Sequence, residues 1–322
     1  MKLASLLMLG VLSMTTGCGP SKPQDDSLDA IQKLGGEIEN DGAGNLRSIR
    51  LSNPEISDTD LVSLKKLKGL RELWLSNTSI TDAGLVNLTN LSSLETLMLS
   101  NTAVTNAGLW HLKDMTRLRQ LDFDDTRVGD EGLVQLKRLH NLLYLSLDNT
   151  PVTDAGLENL KGLTNLRSLD LNYTKVTDAG LKHLKGLTRL ASLELNETKV
   201  TDAGMVYLEG MSGLVELYLD NTYVSDAGLK QLRWQPNLTK LSLIKTDVTD
   251  AGLVYLNDRT HLEVLSIGQT KVTVDGLVKM KGLTGLKYLL LDKKQLTKAA
   301  ERKLKTAFPN CIFWTKVIGE EE

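Results

Sequence analysis

The stretch Leu166–Arg189 reads LRSLDLNYTKVTDAGLKHLKGLTR, and close versions of it return every 24 residues along a chain of 322. Copies begin at Leu46, Leu70, Leu94, Leu118, Leu142, Leu166, Leu190, Leu214, Leu238 and Leu262, with a variant eleventh at Leu286. Their shared pattern is LxxLxLxxTxVTDAGLxxLxxLxx. A fixed period of this size marks a solenoid, in which one repeat cannot bury its apolar face and must stack on its neighbours.

Two shorter periods lie inside each copy. Positions four and six alternate at period two, so LxxLxLxx is a short strand with Leu169 and Leu171 turned inward. Leucine at positions 16, 19 and 22 follows helical spacing, giving one buried stripe on a short outer helix. Threonine holds position nine from Thr78 to Thr270, where its hydroxyl can satisfy backbone groups as the chain leaves the strand. In Val-Thr-Asp-Ala-Gly-Leu, a Thr or Asp before an apolar run is an N-cap signal. The Asp column (Asp82, Asp154, Asp178, Asp202, Asp226, Asp250) is read as part of that cap. The carbonyl-rich loop that would make it a calcium site is missing, so no metal is expected.

This pattern resembles the leucine-rich repeat family, in the variant related to its ribonuclease-inhibitor and cysteine-containing types. The string VTDAGL is similar to that of bacterial surface repeats. The resemblance implies an α/β fold: a curved leucine-rich-repeat solenoid with a parallel inner β-sheet, short outer helices and about eleven repeats over residues 46–297. Strands stacked about 4.8 Å apart predict an inner sheet about 50 Å long.

Composition agrees. There are 65 leucines but only 14 aromatic residues and six prolines, so the core is built mainly from one residue type. A net charge of −2 argues against a nucleic-acid binder, which carries a basic excess. Two distant cysteines, Cys18 and Cys311, exclude a disulfide framework.

The N-terminus has its own logic. Lys2 followed by the apolar run Leu3–Met14 reads as a signal peptide over residues 1–17, too short to span a bilayer comfortably. Thr15-Thr16-Gly17-Cys18 resembles a bacterial lipobox, with Thr15 where leucine is usual. That resemblance implies acylation of Cys18 and anchoring to a bacterial membrane; the alternative is a plain cleaved signal and a secreted or periplasmic protein. Residues 18–27 then serve as the lipidated cysteine and tether, and 28–45 as an N-terminal cap with a short helix over Leu28–Leu34 and a strand near Ile38. Residues 298–322 form the C-terminal cap and tail, where Leu304, Phe308, Pro309 and Cys311-Ile312-Phe313-Trp314 make an aromatic-rich terminal strand and Cys311 is a buried thiol.

No catalytic constellation emerges. His111, His140, His183 and His261 scatter over outer positions of different repeats, and neither a Walker loop nor a GxSxG elbow occurs. Neither an enzyme nor a cofactor is expected. What remains is a surface: positions three, five and seven line the concave side, where repeat proteins bind partners. In repeats four to eight they include Asp122, Asp124, Tyr144, Asp148, Asp170, Glu194, Glu216, Tyr218 and Asp220, with no basic residue among them. Position 20, on the outer side, is basic in seven repeats. The reading is an acidic groove that takes a basic protein or peptide, with Trp74, exposed at position five of repeat two, as a further anchor and the protein a monomer. Two alternatives stand beside it, a purely structural envelope component and an F-box-like substrate adaptor of a ubiquitin ligase. The secretory start and the short N-terminal region count against the second. At position 22, Gln235 and Arg259 interrupt the outer stripe, and the expected remedy is Trp234 filling the gap in a looser or bent segment.

Overall fold

The computed structural model describes residues 23–315. Helix α1 (Pro23–Lys33) opens the described chain, five residues before the expected Leu28. It leads into β1 (Glu37–Asn40), which pairs antiparallel with β2 (Leu46–Arg50). From β2 onward each repeat contributes one short strand, from β3 (Glu72–Trp74) to β12 (Tyr288–Leu291). A last strand, β13 (Ile312–Thr315), pairs parallel with β12. The 13 strands form one open sheet in sequence order, parallel everywhere except at the β1–β2 edge. Register is one repeat per strand, so Leu145 stands beside Leu169 and Leu169 beside Leu193.

The leucine columns behave as their periods require. Positions one, four, six, 11, 16, 19 and 22 are sealed in a single core, as Leu166, Leu169, Leu171, Val176, Leu181, Leu184 and Leu187 show. The returning side of each repeat is a short α-helical or 3-10 segment, such as Asp178–Leu184. Position nine does what the sequence implied. Thr174 Oγ1 donates to the carbonyl of Leu171 at 2.6 Å, and the same bond recurs from Thr78 to Thr270. It closes a turn in which position eight takes a left-handed φ of 51–61°, held by asparagine in four of nine repeats. Asparagine tolerates that region better than most side chains.

The Asp column has a different role from the one its sequence suggested. The N-cap is the hydroxyl residue before the aspartate, threonine or, at Ser225, serine: Thr177 Oγ1 accepts from Ala179 N at 3.3 Å. The aspartate that follows it reaches into the next repeat. Asp154 Oδ1 accepts from Thr177 N and Asp154 Oδ2 from Thr177 Oγ1, both at 2.7 Å. The same two-point clamp joins Asp58 to Thr81, Asp82 to Thr105, Asp130 to Thr153, Asp178 to Thr201, Asp202 to Ser225, Asp226 to Thr249 and Asp250 to Thr273. Between the first and tenth repeats one link differs and explains its own sequence. Repeat four has Gly129 in place of the threonine, and repeat three has Asn106 in place of the aspartate. Asn106 Oδ1 accepts from Gly129 N at 2.6 Å, and its amide nitrogen turns to Glu131 at 2.8 Å. With no hydroxyl to receive, a second carboxylate oxygen would have lacked a donor. The glycine of VTDAGL serves the clamp as well: a Cβ at Gly108 would lie 2.5 Å from Asp82 Oδ1.

At position 22 the structure departs from expectation. Gln235 is itself fully buried and donates from Nε2 to the carbonyl of Leu208 at 2.7 Å. Trp234 does not fill the gap; it is 42% exposed beneath the guanidinium of Arg233. Leu304, Phe308 and Cys311 close the far end, packed through the helix Lys298–Ala307. Burial pushes the Cys311 thiol up to about 11, so it stays protonated and inert.

Candidate functional site

The concave face is built from positions three and five of each strand and position seven just beyond it. Stacking leaves these side chains neither buried nor free. Asp122, Asp124, Tyr144, Asp148, Asp170, Glu194, Glu216, Tyr218 and Asp220 are all half-buried, shouldered by the same position in the repeats on either side. Trp74 is half-buried too, not exposed: the Arg50 guanidinium on the neighbouring strand lies 4.9 Å from its ring. Cys18 lies outside the described residues.

The acidic residues divide by position. At position seven, Asp124 and Asp220 are committed to the fold, because each offers an oxygen to the next repeat's backbone. Asp124 Oδ1 accepts from Asp148 N at 3.0 Å and from the Ser146 hydroxyl. Asn172 accepts from Asn196 N, Asn196 from Asp220 N, and Asp220 from Ile244 N, at 2.7–2.8 Å. Asp148 breaks this ladder: Asn172 N donates instead to Asp170 Oδ1 at 2.9 Å, and Asp148 Oδ1 has no hydrogen-bond partner.

Position five brings carboxylates together. Asp170, on Ser168–Asp170, stands beside Glu194, on Ser192–Glu194. Burial, then Glu194, push the Asp170 carboxyl up to about 8, with Asp148 and Asp124 adding to the effect. Burial also raises Asp124 and Asp148, and the charged groups acting on both are other carboxylates. Tyr144, packed among Asp122, Asp124 and Asp170, is pushed up to about 12, chiefly by burial, and stays a neutral donor. Farther along, a cation is present: Lys240 Nζ lies 2.6 Å from Glu216, whose other oxygen accepts from the Tyr218 hydroxyl at 3.0 Å. The acidic stretch therefore runs from Asp122 to Glu194 and ends at an ion pair the sequence had not indicated.

Sequence reading also missed the apolar end of this face. Continuing the 24-residue register past Leu286 puts Ile312 and Trp314 at positions three and five of a partial twelfth repeat. They pair with Tyr288 and Leu290 and are 50% and 46% exposed, and the Trp314 ring lies 5.3 Å from that of Tyr288. Read as cap residues, Ile312 and Trp314 instead extend the concave face. The signal was in the register, hidden by the loss of the leucine at position one.

Comparison with known proteins agrees with this architecture. A leucine-rich repeat region family matches residues 45–317. An internalin from Listeria monocytogenes is 19% identical, with 92% of this chain and 95% of that one covered at a TM-score of 0.58. Internalin C2 of the same organism is 27% identical over 61% of this chain and 80% of its own, at 0.53. A leucine-rich repeat protein of Leptospira interrogans is 16% identical, covering 78% and 74%, at 0.54. No curated protein matches the sequence. The repeat register, the open parallel sheet and the match across most of its length place the chain in the leucine-rich repeat family.

Proposed function

We propose that this protein is a non-enzymatic interaction module held at the bacterial cell envelope by an acylated Cys18, whose concave face receives a basic segment of a protein partner. The family supports the general reading, since leucine-rich repeat proteins typically act as scaffolds for protein partners. The observation that carries the specific one is Asp170 standing beside Glu194, with an oxygen of Asp148 left without a partner and both Asp148 and Asp170 raised by burial and by neighbouring carboxylates. A lysine or arginine brought among them converts mutual repulsion into attraction and draws the protons off. A purely structural role fits position seven, where the oxygens hold the next repeat's backbone. It accounts for one oxygen of Asp170 and one of Glu194, which accept from the Asn172 backbone N–H and side-chain amide at 2.9 Å, and not for two carboxyls standing side by side.

Two experiments test this. Binding of lysine- and arginine-rich peptides by calorimetry should release protons at pH 7. It should weaken at least a hundredfold when Asp122, Asp148 and Asp170 are each changed to lysine; unchanged affinity dismisses the groove. Metabolic labelling with a palmitate analogue should mark the wild-type chain and leave Cys18→Ser unmarked. Equal labelling of the two removes the anchor.

A further inference from the structure

The outer side of the first four repeats carries a feature that the acidic groove does not explain. Position 17 is apolar and solvent-facing in four consecutive repeats: Val62, Val86, Trp110 and Val134 are 53%, 45%, 56% and 44% exposed. They ride on the segments Asp60–Lys66, Val86–Leu88, Gly108–Leu112 and Val134–Arg138, each packed against the next, so the four side chains form one stripe. In repeats five and six the position turns to Glu158 and Lys182 and the stripe stops.

The residues that follow it in each repeat carry charge of mostly one sign, while acidic residues such as Asp60 and Glu131 precede it. Between positions 17 and 24 of these four repeats stand seven basic residues and one carboxylate, Asp114. Asp114 is already paired with Arg138 at 3.0 Å. Lys113 Nζ lies 3.1 Å from the centroid of the Trp110 ring, its charge resting on the same surface. Lys65 and Lys137 hold the equivalent place in repeats one and four. Exposed valine and tryptophan edged by lysine is the pattern of a surface that lies in a lipid headgroup region. The apolar groups enter the boundary while the ammonium groups meet lipid phosphates.

We infer that this stripe docks on an anionic lipid bilayer, with Trp110 at the contact. The choice of a bilayer as occupant rests in part on the anchor proposed above. Helix α1 packs directly against Asp60–Lys66, the segment bearing Val62. Cys18 is five residues ahead of Pro23, a reach of at most about 18 Å. An acyl chain there delivers the membrane to this end of the outer side and leaves the acidic groove facing away from it.

The test uses the full chain carrying Cys18→Ser, so that acylation plays no part, with Trp74, Trp234 and Trp314 replaced by phenylalanine. Trp110 fluorescence is read against vesicles of phosphatidylcholine, with and without 30% phosphatidylglycerol, containing brominated lipid. Quenching of about twofold or more on anionic vesicles is expected, reduced by 0.5 M salt and abolished in the Val62→Glu, Val134→Glu double variant. Both sites are solvent-facing, and circular dichroism checks that the variant is folded. The N-terminal segment is the same in every protein, so a difference reports the stripe. Unquenched Trp110, equal quenching on neutral vesicles, or an unaffected double variant overturns the inference. A concentration-dependent dimer that shields Trp110 without lipid also overturns it and assigns the stripe to a second copy. Failure of the palmitate labelling removes the anchor and leaves this result standing.

Discussion

Replacing Asp154 by alanine should lower the unfolding free energy by about 3 kcal/mol, an effect out of scale for a residue on the outer turn of a solenoid. Its two oxygens receive the amide and hydroxyl of Thr177 across the repeat boundary, both at 2.7 Å. Charge-assisted bonds are the strong class, and removing the acceptor strands two partly buried donors. Thr177 is also the cap of the following helix, so the loss reaches one repeat farther. In a solenoid, stability is held in nearest-neighbour interfaces. The variant should therefore unfold in urea with a lower midpoint and a broader, segmented transition. The natural exception sets the control. Changing Asn106 to Asp and Gly129 to Thr together should rebuild the clamp and cost nothing or add about 1 kcal/mol. Asn106→Asp alone should be unfavourable. An Asp154→Ala protein with the wild-type midpoint would show that the clamp is ornamental.

The second large effect is a dependence of stability on pH, and its sign is the reverse of the usual one for aspartate. In the folded chain the Asp170 carboxyl is raised from 3.8 to about 8, first by burial and then by Glu194. Asp124 and Asp148 shift in the same direction. Between about pH 4 and pH 8 the folded state thus binds more protons than the unfolded chain, so unfolding free energy falls as pH rises through this window. The contribution is fully present below pH 4 and gone above pH 8. The half-buried setting screens part of it, leaving a loss on the order of 3 kcal/mol between pH 5 and pH 9. Urea midpoints at those two pH values measure it. Asp170→Asn should flatten the profile and leave the variant more stable than wild type at pH 9. A flat wild-type profile would falsify the electrostatic account of the groove. A bound basic segment should also flatten it, since its positive charge holds the carboxyls ionised; this connects the stability measurement to the proposed partner.

Much of the molecule is legible in its amino-acid order alone. Leucine at positions four and six, threonine at nine and leucine at 16, 19 and 22 recur on backbone periods of two and 3.6, and a residue repeated at fixed spacing is a direct statement about which way it points. The candidate site was legible as a set of residues: Asp122, Asp148, Asp170 and Glu194 do share one face. Their condition was not. Whether a carboxylate on that face is tied to the fold or left over depends on which backbone amide the neighbouring repeat presents to it. Asp124 meets the amide of Asp148, and Asp148 is left with an oxygen unpartnered.

The same division runs through the whole protein. The repeat, its strand and turn, the buried columns and the acidic sign of the groove follow from periodicity and composition, which act within a single repeat. The clamp from Asp154 to Thr177, the half-burial of Trp74 under Arg50, the Glu216–Lys240 pair and the side-by-side stripe of Val62, Val86, Trp110 and Val134 are contacts between repeats. Residues 23 to 25 positions apart become neighbours only once the strands stack, and no local pattern states how two side chains will then share their hydrogen bonds.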